Sequence, residues 1–210
     1  MKRNPIVSTL DLKMRSLYAI TPDAMPTDIL LSKTKILLEC GVKIFQLRDK
    51  LLKKNEVKER AYLMNDLIHA FGAKLLINDY VDIAIDVDAD GVHLGQEDMT
   101  CSEARSILGE EKIIGISCNN RLELALNAEK NRASYVGLGS IFLSLTKVSN
   151  QTCSIKQLNL ISNKLKIPSV AVGGINENNL KHLKKTKASY LALSAGLYTD
   201  ESCKIFKEFS

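Results

Sequence analysis

"KLLINDYVDIAIDVDADGVHLGQED", residues 74–98, decides how this chain folds. Two short apolar runs, KLLIND (74–79) and GVHLG (91–95), read as buried strands, and VDIAID between them has room for a short helix. Strands joined through a helix run parallel, because a parallel pair needs a crossover that a hairpin turn cannot supply. The stretch also carries six aspartates and one glutamate, so it raises the question of which acids are solvated surface and which hold something.

The same alternation continues in both directions. Further strand candidates are SLYAITP (16–22), KIFQLRD (43–49), KIIGISC (112–118), YVGLGS (135–140), SVAVGG (169–174) and YLALSAG (190–196). The segments between them carry helical spacing. NEVKERAYLMNDLIHAFG lines Val57, Ala61, Met64, Leu67, Ile68 and Phe71 on one face and stops at Gly72. SIKQLNLISNKLK repeats Ile155, Leu158, Ile161 and Leu165 and breaks at Pro168. DILLSKTKILLEC is expected to form the helix after the first strand, and NENNLKHLKK the one after the seventh. An open doubly wound sheet alternates in the same way, but eight such units in about 200 residues favour a compact (β/α)8 TIM barrel of the α/β class. No linker, low-complexity tract or charge block divides the chain, so residues 16–210 read as one catalytic barrel. Residues 1–15 are an N-terminal extension, either an extra helix over the bottom of the barrel or an unstructured segment.

Composition excludes several functions. A formal net charge of +5 spread over the chain, with only short clusters at Lys53-Lys54 and Lys184-Lys185, suits anionic small molecules rather than nucleic acid. The five cysteines (Cys40, Cys101, Cys118, Cys153 and Cys203) form no C-x-x-C pair and no cluster with histidine, the usage of free thiols in a reducing compartment. MKRNPIVSTLDLKMRS lacks the apolar core of a secretory signal, and no apolar run approaches the ~18 residues of a membrane span. A cytoplasmic protein with no membrane partner is expected. The oligomeric state is not legible, and a homodimer is compatible with the chain.

In a parallel barrel the chemistry sits at the C-terminal strand ends, where alternate residues face inward. Ile44, Gln46, Arg48 and Lys50 fall in one row of KIFQLRDK, while Phe45 and Leu47 face the surrounding helices. An arginine in such a row can clamp a phosphate bidentately, and a lysine adds a mobile positive charge. Asp79 ends KLLIND and Asp98 follows GVHLG by three residues. Two carboxylates at neighbouring strand ends beside a basic row suit Mg²⁺, which takes oxygen ligands and bridges to substrate phosphates. A plainer role for Asp79 is the N-cap of the VDIAID helix. Asp82 and Asp86, four apart on that helix, are expected to be exposed, and Asp88 and Asp90 to serve a turn at the opposite end. Gly173 and Gly174 permit close backbone approach to an anion after strand seven, and Ser194 is a natural phosphate partner after strand eight. SIFLSLTK offers Ser144, Thr146 and Lys147, either as a loop over a diphosphate or as a surface turn. His93 reads as a packed core histidine. No nucleophile elbow, P-loop or zinc-protease motif occurs, and two phosphate-like anchors with a carboxylate pair and no dedicated nucleophile suggest group transfer from a diphosphate.

These residues resemble the thiamine-phosphate synthase (thiamine-phosphate pyrophosphorylase) family. QLRDK is similar to its QLREK element, and LLIND with GVHLGQED to its metal-binding segment. GIS at 115–117, the loop ending LTK, and VAVGGI are similar to further elements, in order, across residues 16–198. The resemblance implies a (β/α)8 barrel that joins a hydroxymethylpyrimidine diphosphate to a thiazole phosphate and releases diphosphate. It implies that Gln46, Arg48, Lys50, Asn78, Ser117 and Lys147 bind the pyrimidine diphosphate, with Arg48, Lys50, Ser117 and Lys147 serving the reaction. It further implies that Asp79 and Asp98 hold Mg²⁺, and that Ser144, Thr146, Gly174, Leu193 and Ser194 bind the thiazole phosphate.

The chain departs from that pattern around strand six. Ser140 and Leu143 stand where the family carries prolines, Ser144 replaces a threonine, and VSNQTCSIKQL lacks a glycine common before the next helix. Cys118 and Asn119 follow Ser117, where many relatives have a histidine. The related thiazole tautomerases tend to lose the metal-site acids and rely on that histidine, so keeping Asp79 and Asp98 without it favours the synthase. A catalytically idle phosphate-binding paralogue is the third reading, resting only on the altered SIFLSLTK loop.

Overall fold

The computed structural model describes residues 16–142 and 152–199. Eight parallel strands close into a barrel in sequence order: β1 (Ser16–Ile20), β2 (Ile44–Leu47), β3 (Lys74–Asn78), β4 (Gly91–Leu94), β5 (Ile113–Ser117), β6 (Tyr135–Leu138), β7 (Ser169–Val172) and β8 (Tyr190–Leu193). β8 returns to pair with β1, Ser16 opposite Tyr190, which abolishes both sheet edges. The helices among the described residues are α1 (Thr27–Glu39), α2 (Lys54–Ala70), α3 (Val81–Asp86), α4 (Cys101–Leu108), α5 (Leu122–Lys130) and α6 (Ile155–Lys164). None is long and apolar enough to cross a membrane.

All eight expected strands are present, each one to three residues shorter at its C-terminal end than the apolar run suggested. The excess residues turn outward into the loops that build the site. One helix expectation is corrected. NENNLKHLKK forms only a 3-10 turn at Leu180–Leu183, because the Asn179 carboxamide takes the Asn176 N–H and the Gly174 carbonyl, folding the segment into a tight side-chain-bonded turn. Residues 1–15, and with them the reading of an extra helix, lie outside the described residues, as do Leu143, Ser144, Thr146 and Lys147.

Strand alternation separates two apolar layers. Phe45 and Leu47 of β2, Leu75 and Ile77 of β3 and their counterparts pack outward against Leu37, Val57, Ala61, Met64 and Ile68 of the helices. Tyr18, Ile44, Leu76, Ile113, Tyr135, Val170 and Tyr190 fill the interior of the barrel. At ~1.5–3 kcal/mol for each fully buried large apolar side chain, these layers are the main driving force for closure. Two glycines make room inside. A Cβ at Gly115 would lie 2.0 Å from Cζ of Tyr135, and one at Gly137 would lie 3.3 Å from Cε1 of His93. At the bottom, the buried Arg105 donates to the carbonyls of Gly109, Lys112 and Arg132 and to Ser134 Oγ, satisfying the loops between α4, β5 and β6.

Candidate active site

The mouth of the barrel is organised by the loop after β2. Strand pairing stops at Leu47, and Thr21 at the end of β1 holds the next residue, its hydroxyl accepting from Arg48 N–H at 2.8 Å and donating to Arg48 C=O at 2.6 Å. Asp49 then turns into the protein. Its carboxylate accepts from the backbone N–H of Ala24 and Leu51 and from Arg60 of α2, and Arg60 also reaches Thr27. With Asp49 anchored, Arg48 and Lys50 on either side of it point into the mouth.

Both cations face carboxylates. Arg48 Nη1 donates to both oxygens of Asp23 at 2.9 Å, and Lys50 N–H bonds Asp23 as well. Burial pushes the Asp23 pKa up, but the Lys50 N–H and the Arg48 guanidinium outweigh it and hold it below the usual carboxylate value. Lys50 Nζ donates to Asp79.

Asp79 follows β3 with φ +64, a left-handed conformation uncommon outside glycine, and its N–H bonds the His93 carbonyl of β4. It does not cap α3: Tyr80 holds that position, without a side-chain cap. Asp98 of the next loop accepts from Gly95 N–H at 2.7 Å, and its carboxylate is near enough to Asp79 to act on that residue's charge. Burial raises the Asp79 pKa, Lys50 opposes this, and Asp98 adds like-charge repulsion; the net shift is upward. Two carboxylates held together against their own repulsion, beside a lysine, are an oxygen donor pair that fits a divalent cation. Among the described residues no three His, Cys, Asp or Glu side chains converge on a complete metal cage.

The other four aspartates of residues 74–98 are held in ion pairs. Asp82 and Asp86 pair with Lys54 and Lys58 across the exposed α2–α3 surface. At the opposite end of the barrel Asp88 pairs with Lys112, while Asp90 takes Leu75 N–H, His69 and Lys74.

Across the mouth, Ser117 ends β5 with its Oγ 2.8 Å from His93 Nε2, and its carbonyl accepts from Gln96. His93 is the packed histidine expected, its other nitrogen 2.7 Å from the Tyr135 hydroxyl and its ring stacked on Tyr135. Gln46, 2% exposed, faces the interior and donates to the Tyr18 hydroxyl. Gly173 and Gly174 have φ +104 and +62, a left-handed pair at the end of β7. Only glycine suits position 173, where a Cβ would meet Ser140 Oγ at 1.9 Å. Ser194 lies beside them at the end of β8, its hydroxyl directed to Thr21 C=O. Leu193 packs its side chain into the outer layer, 1% exposed, so only its main chain can serve a ligand.

The structure thus gathers Gln46, Arg48, Lys50, Asn78, Asp79, Asp98, Ser117, Gly174 and Ser194 at the C-terminal strand ends. The residues that sequence reasoning missed are Asp23, which pairs with Arg48, and Asp49–Arg60, which anchors the loop. An acid at the apolar, outward register of QLRDK was the available signal for Asp49. Asp23 carried none, because its partner lies 25 residues away in sequence.

The model of the thiamine monophosphate synthase family matches residues 17–197. A thiamine-phosphate synthase of Nitrosospira multiformis is 44% identical over 186 residues, 89% of this chain and 80% of the relative. One from Clostridium acetobutylicum is 39% identical over 164 residues, 78% of this chain and 77% of the relative. Among solved structures, a thiamine phosphate pyrophosphorylase from Pyrococcus furiosus superposes with a TM-score of 0.80 at 32% identity, covering 94% of this chain and 95% of that one. A 3-hexulose-6-phosphate synthase at 16% identity and TM-score 0.69 shares the fold alone. By the span of that match and the identity of these relatives, the chain belongs to the thiamine monophosphate synthase family.

Proposed function

We propose that this barrel makes thiamine phosphate, transferring the pyrimidinylmethyl group of 4-amino-2-methyl-5-(diphosphooxymethyl)pyrimidine to the ring nitrogen of a 4-methyl-5-(2-phosphooxyethyl)thiazole or its carboxylated tautomer. The carbon–oxygen bond to the diphosphate breaks, and the leaving group takes the electron pair. The carbon–nitrogen bond then forms from the thiazole lone pair, and where the thiazole is the carboxylated tautomer its carboxyl group leaves as carbon dioxide. No protein nucleophile is needed. Ser117 is held by His93, but its role in this reading is to orient the pyrimidine.

The observation that carries the reading is the contiguous set Asp79, Asp98, Lys50 and Arg48. Asp79 and Asp98 would hold Mg²⁺, which supplies charge neutralisation for a departing diphosphate. Arg48 and Lys50 exchange their carboxylate partners for phosphate oxygens as substrate enters, an electrostatic stabilisation aimed at developing charge. Gln46, Asn78 and Ser117 orient the pyrimidine, and orientation supplies much of the rest of the acceleration. The glycine pair at Gly173-Gly174, the Leu193 main chain and Ser194 take the thiazole phosphate, with Ser144 and Thr146 assigned to the same site by resemblance and Lys147 to the pyrimidine diphosphate. The preserved Asp79/Asp98 pair supports the synthase over a tautomerase.

The test is direct. Purified protein with both substrates and Mg²⁺ should release thiamine phosphate and diphosphate in equal amounts. Binding of both substrates without product, or turnover of the thiazole tautomer alone without metal, would overturn the reading.

A further inference from the structure

Beneath the mouth, a chain of hydrogen bonds crosses the barrel from β2 to β5. Gln46 Nε2 lies 2.6 Å from Tyr18 Oη, Tyr18 Oη 2.9 Å from Tyr135 Oη, Tyr135 Oη 2.7 Å from His93 Nδ1, and His93 Nε2 2.8 Å from Ser117 Oγ. Both phenols are almost fully buried, and burial raises the pKa of each, so both keep their protons. The glycines at 115 and 137 open the space that the Tyr135 and His93 rings fill. Buried polar groups in a closed series of this kind specify one arrangement, because a break leaves a donor or acceptor unmet in low dielectric.

The chemistry of the groups gives the series a direction. An amide nitrogen only donates, so Tyr18 accepts from Gln46 and must pass its own hydrogen to Tyr135. Tyr135 in turn donates to His93 Nδ1. His93 is then the tautomer with its proton on Nε2, and it donates to Ser117 Oγ. The two ends that reach the mouth are thereby set: Gln46 gives one N–H to Tyr18, which fixes its carboxamide and leaves the oxygen as an acceptor, while Ser117 has its oxygen accepting from His93 and presents its O–H as a donor.

We infer that Tyr18, Tyr135 and His93 are positioning residues that fix Gln46 as an acceptor and Ser117 as a donor, so that the site selects an aminopyrimidine over the corresponding oxopyrimidine. An exocyclic amine donates to Gln46, and a ring nitrogen lone pair accepts from Ser117. A 4-oxo ring would set its carbonyl against the Gln46 oxygen. This inference rests on the proposed function, in which Gln46 and Ser117 face the pyrimidine.

The test compares kcat/KM for the 4-amino pyrimidine diphosphate and its 4-oxo analogue in the wild type, Tyr135→Phe and Tyr18→Phe. Each variant keeps its ring and removes one hydroxyl with its two links, so either can carry the result if the other fails to fold. The wild type should favour the amino substrate strongly, since sites built to hydrogen-bond a substrate reject mismatched analogues by large factors. Each variant should lower the amino-to-oxo ratio by about tenfold or more, while its thermal midpoint falls by only about 4–8 °C, the cost of two lost hydrogen bonds. A wild type that accepts both substrates equally overturns the inference, as does an unchanged ratio in a folded variant. An equal loss on both substrates would mark the series as purely structural and also overturn it. Failure of the wild type to make thiamine phosphate is the separate result that defeats the proposed function, and this inference with it.

Discussion

Asp49 and Arg60 form an ion pair beneath the β2–α2 loop: Arg60 Nη1 lies 3.0 Å from Asp49 Oδ2, with side-chain exposures of 6% and 0%. The same carboxylate holds two backbone N–H groups, so it fixes the path of the chain between Arg48 and Lys50. Removing one partner of a buried pair leaves an uncompensated charge, at a cost of about 3–5 kcal/mol. Asp49→Ala should therefore lower unfolding free energy by about that amount in urea titrations. Diphosphate affinity should fall as well, because Arg48 and Lys50 lose their shared anchor. Unchanged stability would mean that the loop is held by other contacts.

The Asp79–Asp98 pair calls for a different signature. Asp98→Asn keeps the shape of the side chain and can still accept from Gly95 N–H, but it removes one negative charge and the repulsion on Asp79. Mg²⁺ affinity measured calorimetrically on the substrate-free protein should drop at least about tenfold, or ~1.4 kcal/mol. Without metal, the thermal midpoint should stay level or rise slightly. A large loss of metal-free stability would mark Asp98 as structural.

Asp23 gives a pH prediction. Its folded pKa is depressed below the ordinary 3.8, chiefly by the Lys50 N–H and Arg48 working against burial. A depressed carboxylate adds stability above the unfolded value and loses it as pH falls through the folded one. Wild-type stability should thus carry an acid-side loss beginning below about pH 4 that Asp23→Asn lacks. Urea titrations from pH 3 to pH 5 read the difference, which should be under ~1 kcal/mol for so exposed a pair. Parallel curves for the two proteins would show that Arg48 does not hold Asp23 in solution.

The contrast between Asp79 and Asp49 explains how much the sequence could reveal. Strand period and apolar runs located all eight strands and the inward row Ile44–Gln46, because burial on both faces of a parallel strand leaves a strong pattern. Asp79 and Asp98 were legible because strand ends at the mouth follow directly from that pattern. Gln46, Arg48 and Lys50 were read as one strand row, yet pairing stops at Leu47 and a buried Asp49 keeps the two cations in the mouth. Such anchoring depends on partners 11 and 25 residues away, which local spacing does not encode. The series joining Gln46 to Ser117 was hidden for the same reason: its inner members, Tyr18, His93 and Tyr135, sit on three strands and look individually like ordinary core residues.

Gly115 ties that hidden interior to a stability measurement. It sits at an inward position of β5, paired with Tyr135 in register, and a Cβ there would lie 2.0 Å from Cζ and 2.3 Å from Oη of that ring. The clash is with the end of a side chain, but one buried among Tyr18 and His93 and hydrogen-bonded to both. Gly115→Ala must push the ring aside and should cost about 1–3 kcal/mol, the usual range for overpacking. Tyr135→Leu removes the atoms that collide and should itself destabilise through lost hydrogen bonds and volume. The double variant should then be less destabilised than the sum of the singles, by at least about 1 kcal/mol, because the two changes share one contact. Urea titrations of the four proteins give the coupling directly. Strict additivity would mean that the Tyr135 ring does not occupy the space Gly115 leaves.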